Sequence, residues 1–439
     1  MECWGSLIRF RDAPSARALA EQCGDALRPA RGALCDLPVA PRLHSVTSCR
    51  LATSYRRRFV QASRDQLSVT LDCHPLRMEP SLSCVMPESH ILPMPRAMLG
   101  HMDLPLELGG LLQDVTLRGF AYGQPLGAAP VFVLAGGITA DAMPLGDGQQ
   151  SGWWQALATA GFLQVERHTI LAPGTLGHVS DWPALRTLDG TDAVDLPQLT
   201  PFDLAEATEA WLTQNDCPNG ITWIGASVGG LVGLALAIRY PARIRGLITI
   251  SAGHLPDGWG TGVRHLQREI VRDALRTTWP TAKDRRLGLA TAMKRARQLG
   301  LLSYRGRDEL NTRFGRLEPG AALPPIASYL EHNGAKFAEH FSPQRFLLLS
   351  EAIDRFHLAE RDALPDVLAR LQCQVTVVGV PSDLLFPWTM QVELHQLLVV
   401  AGVRSQLLTL TSDFGHDAFL ADQARLAQLL LEHGILQED

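Results

Sequence analysis

The segment Gly225-Ala226-Ser227-Val228-Gly229-Gly230 decides the fold of this chain. It follows an apolar, β-branched run, Ile221-Thr222-Trp223-Ile224, and precedes a helical stretch of small residues, Leu231 to Ile238. A strand, a Gly-x-Ser-x-Gly turn and a helix are the context of a nucleophile elbow. The serine of such a turn has strained backbone, and the flanking glycines relieve the crowding around it. A glycine-rich turn with a passive serine gives the same local pattern.

A serine nucleophile needs a general base, and the base needs a carboxylate that orients it. In α/β-hydrolases these residues follow the serine in the order Asp or Glu, then His. A strand-like run, Gln374 to Val380, leads into Asp383, and another, Gln406 to Leu410, leads into His416. Both side chains therefore follow strands, at the edge of the sheet where catalytic groups gather. The order of these residues along the chain predicts a catalytic triad of Ser227, Asp383 and His416.

Each of these residues has an ordinary interpretation when it is taken alone. His416 suits a surface loop, and Asp383 suits a turn or a helix cap. Asp413 and Asp417 are rival carboxylates, but a residue next to His416 is poorly placed to orient its far ring nitrogen. The required chain order, with a strand before each residue, favours the triad.

Composition narrows the class of protein. The 439 residues carry a formal net charge of −5 at pH 7, which argues against a nucleic-acid partner. The chain has no apolar run of membrane-spanning length and no signal peptide with a basic start and an apolar core. We therefore expect a cytoplasmic protein without a membrane partner. No cysteine spacing matches a zinc site, so no bound metal is expected.

The first part of the chain differs from the rest. Six of the eight cysteines lie before residue 90, and hydrophobic periodicity there is weak. Residues 1–108 are predicted to be a poorly ordered leader of unknown role and without chemistry. Two other interpretations are open: an Arg-rich targeting segment, which its acidic residues disfavour, and translation from a start codon upstream of the true one. Candidate true starts are Met78, Met86, Met94, Met98 and Met102.

From about Leu111 strand-like and helix-like segments alternate, which predicts an α/β fold with a mostly parallel sheet and helices on both faces. Residues 109–254 and 371–439 are predicted to form an α/β-hydrolase core. Residues 255–370 are predicted to be an α-helical lid insertion that covers the nucleophile. The predicted strands before the insertion, apart from the one before Ser227, are Gln113 to Ala121, Val131 to Leu134, Val165 to Leu171 and Ile244 to Ile250.

From roughly Val131 onward, an ordered set of segments resembles the homoserine O-acyltransferases of the α/β-hydrolase fold. The resemblance implies transfer of an acetyl or succinyl group from coenzyme A to the hydroxyl of L-homoserine, on the way to methionine. Acyl-CoA is then a co-substrate, and no cofactor is expected to stay bound. The segments are Gly225 to Gly230, Leu266 to Val271, Ser303 to Gly306, Arg313 to Arg316, Ser328 to Glu331, Lys336-Phe337, Asp383 to Pro387 and Gly415 to Leu420.

The resemblance also implies roles for backbone groups near Ser227. The expected oxyanion donors are the N–H of Val228 and one from the loop that contains Gly136 and Gly137. Removal of one such donor typically costs about 3 kcal/mol of transition-state stabilisation.

Three further side chains match substrate-site positions of the family. The resemblance implies that Arg297 binds the substrate carboxylate, that Tyr304 hydrogen-bonds the same end and that Asp417 pairs with the α-ammonium. Without the resemblance, Arg297 would be a solvated residue of a basic helix, Tyr304 a packed aromatic side chain and Asp417 a helix cap.

The resemblance defines the acyl donor and the amino-acid acceptor less closely than the triad. The loop Ala135 to Ala140 and the segment Gly152-Trp153-Trp154 resemble the succinyl-transferring branch, so succinyl is slightly preferred over acetyl. Serine in place of homoserine stays open as acceptor, because one methylene is worth only about 1–3 kcal/mol. An esterase that uses water is a further alternative, although it has no need of a carboxylate clamp. A homodimer through the helical insertion is compatible with the family.

Overall fold

The computed structural model describes residues 94–177, 196–317, 319–360 and 363–434, and most of the predicted leader lies outside these ranges. The described strands form one sheet in the order β1-β2-β4-β3-β5-β6-β7-β8. β2 pairs antiparallel with β1 and β4, and all other pairs are parallel. The strands are β1 Arg96–Pro105, β2 Leu111–Gly123, β3 Val131–Ala135, β4 Thr169–Pro173, β5 Ile221–Ala226, β6 Ile244–Ile250, β7 Gln374–Gly379 and β8 Ser405–Thr409.

The described helices cover both faces of the sheet, and six of them, α4 to α9, lie between β6 and β7. The predicted α/β architecture with a mostly parallel sheet is confirmed. The helices are α1 Gln155–Thr159, α2 Pro201–Gln214, α3 Val228–Arg239, α4 Gly258–Arg276, α5 Ala282–Tyr304, α6 Arg307–Phe314, α7 Pro325–His340, α8 Pro343–Asp354, α9 Leu364–Leu368, α10 Trp388–Val400, α11 Ala418–Ala421 and α12 Gln423–Glu432.

Two apolar clusters, one on each face, hold the sheet between its helices. Side chains alternate across a strand, so adjacent residues of β5 serve different clusters. Trp223 packs in the cluster that contains α2 and α3, and Ile224 packs in the cluster that contains Trp154 and Leu426. Burial on both faces explains why the central strands read as continuous apolar runs.

The predicted boundary of the leader at residue 108 is wrong, because β1 lies inside it. β1 pairs along its length with β2, and Met98 and Leu104 are buried. The indole Nε1 of Trp211 donates to the Met98 carbonyl at 3.3 Å. A start at Met102 would therefore remove more than half of a strand of the sheet.

Two smaller differences separate the predicted elements from the observed ones. The strand predicted over Val165 to Leu171 begins later, at Thr169, because the preceding residues turn and the His168 N–H donates to the Gln164 carbonyl at 2.8 Å. The sequence also did not locate helices α6 and α7 within the insertion; each buries a single residue, Leu310 in α6 and Gly334 in α7, so neither has a continuous buried stripe.

Adjacent residues of β1 allow a direct test of its place in the fold. Met98 is 6% exposed and Leu99 is 45% exposed, on opposite faces of the strand. We expect Met98→Ala to lower the free energy of unfolding by about 2–5 kcal/mol, because it leaves a cavity. Leu99→Ala is the matched control and should cost less than about 1 kcal/mol. Urea denaturation followed by tryptophan fluorescence measures both, and equal small effects would contradict a structural role for β1.

Candidate active site

Ser227 lies in the strained turn between β5 and α3. Its backbone has φ 53° and ψ −119°, a conformation that costs a non-glycine residue about 1–3 kcal/mol. The neighbouring glycines make the turn sterically feasible. A Cβ on Gly225 would lie 2.2 Å from the Gly229 carbonyl oxygen, and a Cβ on Gly229 would lie 2.2 Å from that of Ala135. The elbow therefore requires glycine on both sides of the serine.

Asp383 and His416 lie beside Ser227, as the chain order predicts. His416 Nε2 is 2.9 Å from Ser227 Oγ, and His416 Nδ1 is 2.9 Å from Asp383 Oδ2. All three residues are buried: Ser227 is 6% exposed, Asp383 2% and His416 5%. With Nδ1–H donating to Asp383, Nε2 is the basic nitrogen that faces the serine hydroxyl. The arrangement can activate Ser227 as a nucleophile.

Each oxygen of Asp383 has a separate task. Oδ1 accepts the backbone N–H groups of Leu385 at 2.8 Å and Phe386 at 3.0 Å. These bonds fix the carboxylate plane and leave Oδ2 for the imidazole. The rival carboxylate of Asp413 is exposed, and it makes no hydrogen bond to His416 within the described chain.

Ser382 joins the acid loop to the base loop, a role that the sequence did not reveal. Its hydroxyl donates to the Ser412 carbonyl at 2.6 Å and accepts the Gly415 N–H at 3.0 Å. A serine before an aspartate in a turn is common, so no local signal distinguishes this one. The two bonds hold His416 at a fixed distance from Asp383.

The loop after β3 lies against the elbow. The Gly229 N–H donates to the Gly136 carbonyl at 3.0 Å, and a Cβ on Gly137 would be 3.8 Å from Ser227 Cβ. Val228 is the first residue of α3, where backbone N–H groups have no partner within the helix. The predicted oxyanion donors thus come from two segments that flank the serine.

Three aromatic rings surround the His416 imidazole. The ring centroids of Phe386, Phe419 and Tyr304 lie 5.5, 5.6 and 6.0 Å from that of His416. The rings come from the acid loop, helix α11 and the end of α5. With these rings around it His416 is only 5% exposed, so they restrict the access of water to the base.

Arg297 and Asp417 bring opposite charges to the same site. The Arg297 guanidinium lies 4.9 Å from the Tyr304 ring centroid and 5.3 Å from that of Phe337. Within the described ranges, neither Arg297 nor Asp417 forms a salt bridge of 4.0 Å or less. Burial raises the pKa of the Asp417 carboxyl, and the charge of Arg297 only partly opposes this rise. Burial likewise raises the pKa of Tyr304.

The helical insertion contacts the histidine loop through two glycines. A Cβ on Gly306 would lie 2.0 Å from the Asp413 carbonyl oxygen. Gly415 has φ 65°, and a Cβ there would lie 2.6 Å from the Gly306 backbone nitrogen. The end of α5, which carries Tyr304, is therefore packed directly against the segment that positions His416.

In the part of the chain that the structure describes, no group of three or more His, Cys, Asp or Glu side chains is arranged to hold a metal ion. None of its helices is both long enough and apolar enough to cross a membrane.

Comparisons with known proteins agree with this fold. Residues 130–423 match the family model for the alpha/beta hydrolase fold. A homoserine O-acetyltransferase of Symbiobacterium thermophilum is 31% identical over 343 residues, which are 73% of this chain and 88% of that protein. A serine O-succinyltransferase of Litchfieldella anticariensis is 32% identical over 345 residues, 74% of this chain and 94% of that protein.

The chain belongs to the homoserine and serine O-acyltransferase family of α/β-hydrolases. Solved structures agree on the fold. The homoserine O-acetyltransferase of Bacillus anthracis matches with a TM-score of 0.68 at 16% identity, over 79% of this chain and 99% of that one. Esterase E22 matches with a TM-score of 0.67 at 18% identity, over 78% of this chain and 100% of that one. Membership of the family makes this chain an acyltransferase.

The desolvated carboxylate of the half-buried Asp417 is expected to lower the stability of the fold. Because its pKa is raised in the fold, ionised Asp417 disfavours folding above the unfolded value of 3.8, and this penalty vanishes below it. We expect Asp417→Asn to stabilise the protein by about 0.5–2 kcal/mol at pH 7 and to lose this advantage as the pH falls to 3.8. Thermal unfolding across this range measures it. Asp413→Asn, at the exposed neighbour, is the control, and destabilisation by Asp417→Asn at pH 7 would contradict the expectation.

Proposed function

We propose that this acyltransferase moves an acyl group from a coenzyme A thioester to the hydroxyl of L-homoserine, through an ester on Ser227. The observation that carries the proposal is the pair Arg297 and Asp417 beside His416. These two opposite charges are not paired with each other, and they suit a zwitterion whose hydroxyl points at the base. An esterase for simple esters has no use for such a pair.

The first half-reaction forms the acyl-enzyme. His416 Nε2 takes the proton from Ser227 Oγ, which attacks the thioester carbonyl. The backbone N–H groups of Val228 and Gly137 would stabilise the oxyanion, and Asp383 stabilises the imidazolium. The carbon–sulfur bond then breaks, and the proton from His416 goes to the thiolate, so that free coenzyme A leaves.

The second half-reaction passes the acyl group to the acceptor. His416 Nε2 takes the proton from the amino-acid hydroxyl, whose oxygen attacks the ester carbonyl. Collapse of the tetrahedral intermediate breaks the bond to Ser227 Oγ, and His416 returns the proton to the serine. The aromatic rings around His416 support this order, because they protect the ester from water until the acceptor arrives.

Recognition of the acceptor would use both ends of the amino acid. The planar guanidinium of Arg297 suits a bidentate contact with the carboxylate, and stacking on Tyr304 and Phe337 holds it in place. The Asp417 carboxylate would bind the α-ammonium, which supplies the partner that this half-buried charge lacks. Binding of the ammonium would thereby stabilise the ionised form of Asp417.

Donor and pathway are part of the same proposal. Succinyl-CoA is slightly preferred over acetyl-CoA, and the product would serve methionine biosynthesis. Serine as acceptor is the second candidate, favoured by the similarity to serine O-succinyltransferases. A homodimer through the helical insertion also stays a prediction, supported by exposed apolar side chains of the insertion at Trp259, Leu266 and Leu287.

The first test separates transfer from hydrolysis. Purified protein is mixed with succinyl-CoA or acetyl-CoA, with L-homoserine, L-serine or no acceptor, and thiol release is followed by a chromogenic reagent. We expect steady-state release to require the amino acid and Ser227→Ala to lower the rate by about 10⁴-fold or more. Ser251→Ala is the matched control, since Ser251 ends the neighbouring strand buried and at φ 48°. Release that ignores the amino acid would identify an esterase.

The second test concerns acceptor recognition. Arg297→Met should raise KM for the amino acid by about 30-fold or more, because the substrate carboxylate loses its charged partner. The single-turnover burst of thiol without acceptor should stay close to wild type, since acylation of Ser227 does not involve the amino acid. Arg295→Met, two residues away on the exposed face, is the control. Loss of the burst together with the KM effect would instead indicate damage to the triad.

A further inference from the structure

Arg305 is the residue that follows Tyr304, and the proposed reaction leaves it without a task. It lies just past the end of α5, in the segment Ser303 to Gly306 that resembles the acyltransferase family. The residue is 8% exposed. A guanidinium is costly to bury unless it is paired, so its surroundings should show what the burial serves.

Glu309, four residues later in α6, pairs with Arg305. The Arg305 Nη2 donates to Glu309 Oε1 at 2.7 Å and its Nε donates to Oε2 at 3.3 Å, so both carboxylate oxygens are used. The two side chains are 10% and 9% exposed. A two-point contact between a planar guanidinium and a carboxylate fixes the direction of the guanidinium as well as its charge.

The anchored guanidinium lies over the ring of Phe414, two residues before His416. Its Cζ is 4.7 Å from the ring centroid, within the range of a cation–π contact. Because Arg305 is shielded from solvent, such a contact is stronger than one on an open surface. Phe414 is half-buried and also packs against the apolar cluster that contains Trp154 and Leu426. The ring therefore contacts the arginine and the apolar cluster at the same time.

The backbone next to Phe414 is confined as well. A Cβ on Gly415 would lie 2.7 Å from the Arg305 carbonyl carbon, and the Gly415 N–H donates to the Ser382 hydroxyl at 3.0 Å. Gly415 begins the single helical turn that carries His416. The turn is therefore confined through its backbone, and the contact of Arg305 with Phe414 adds a side-chain restraint from the insertion.

Arg313, also on α6, offers a comparison. It contacts the Glu309 carboxylate at 3.4 Å, but its side chain is 51% exposed. Its guanidinium lies 4.9 Å from the ring centroid of Phe314 and 5.0 Å from that of Tyr329. Among the arginines that the structure describes, Arg305 is the one whose guanidinium stacks on the histidine loop.

We propose that Arg305 is a positioning residue for His416, which it holds in place through Phe414. The imidazole must keep two hydrogen bonds of 2.9 Å at once, so a small shift of its turn weakens both. His416 acts in both half-reactions, so the restraint should matter to acylation and to transfer alike. This inference rests on the proposed function, because it requires His416 to serve an acyl ester on Ser227.

The test separates a positioning role from a merely structural one. Rapid mixing of the full-length protein with succinyl-CoA or acetyl-CoA, without acceptor, gives the amplitude and the rate constant of the thiol burst. Steady-state assays with L-homoserine or L-serine give kcat and KM. The amplitude counts folded, active sites, whereas the rate constant reports how well the base is aligned. The variants are Arg305→Met, Arg305→Lys, Phe414→Leu and the double variant of Arg305→Met with Phe414→Leu, and Arg313→Met is the matched control.

We expect Arg305→Met to lower the burst rate constant and kcat by about 10-fold to 100-fold, with the burst amplitude and KM for the amino acid close to wild type. Arg305→Lys should restore part of both rates, because lysine keeps a cation beside the ring. Phe414→Leu should reproduce the loss, and the double variant should be no slower than the slower single one, because both changes remove the same contact. Arg313→Met should leave both rates unchanged.

A smaller burst amplitude with an unchanged rate constant would overturn the proposal, since loss of folded protein alone gives that result. A raised KM for the amino acid at an unchanged burst rate would also overturn it, and would assign Arg305 to the acceptor. Independent, multiplicative losses in the double variant would overturn the route through Phe414. Failure of the proposed function has a different signature, namely a wild-type protein whose steady-state thiol release is absent or ignores the amino acid.

Discussion

The two hydrogen bonds of His416 set the strictest geometric condition on this fold. Ser227 Oγ and Asp383 Oδ2 must each lie 2.9 Å from the imidazole, although the three residues belong to distant parts of the chain. Parallel strands meet this condition, because β5, β7 and β8 all end at the same edge of the sheet. Ser382 completes it by joining the acid and base loops through a single hydroxyl.

Strain at the nucleophile is balanced by packing around it. The backbone of Ser227 is unfavourable by itself, and the sheet and α3 hold it because the strand and helix on either side are fully packed. Asp417 adds a second local cost, a half-buried and desolvated carboxylate without a salt bridge in the described chain. Active sites commonly carry such costs, since groups that satisfy each other cannot also satisfy a substrate.

The sequence allowed prediction of the features that have local signals. The elbow carries its glycines, and Asp383 and His416 follow apolar runs in a fixed order, so the fold and the grouping of these side chains could be predicted. β1 was missed because its outward-facing positions are polar or exposed, and its partner β2 and the Trp211 indole define it only in three dimensions. Ser382 was missed for the same reason, because its hydroxyl acts through a carbonyl and an N–H group that are distant in the sequence.

The close contact between Gly306 and Gly415 has a consequence for how this enzyme could change. The end of α5 places the Tyr304 ring beside His416 and at the same time packs against the loop that positions this histidine. The insertion and the proton-transfer machinery are therefore mechanically one unit. An insertion transplanted from a relative would also shift the loop that aligns the base, so changes in the insertion and in this loop must evolve together.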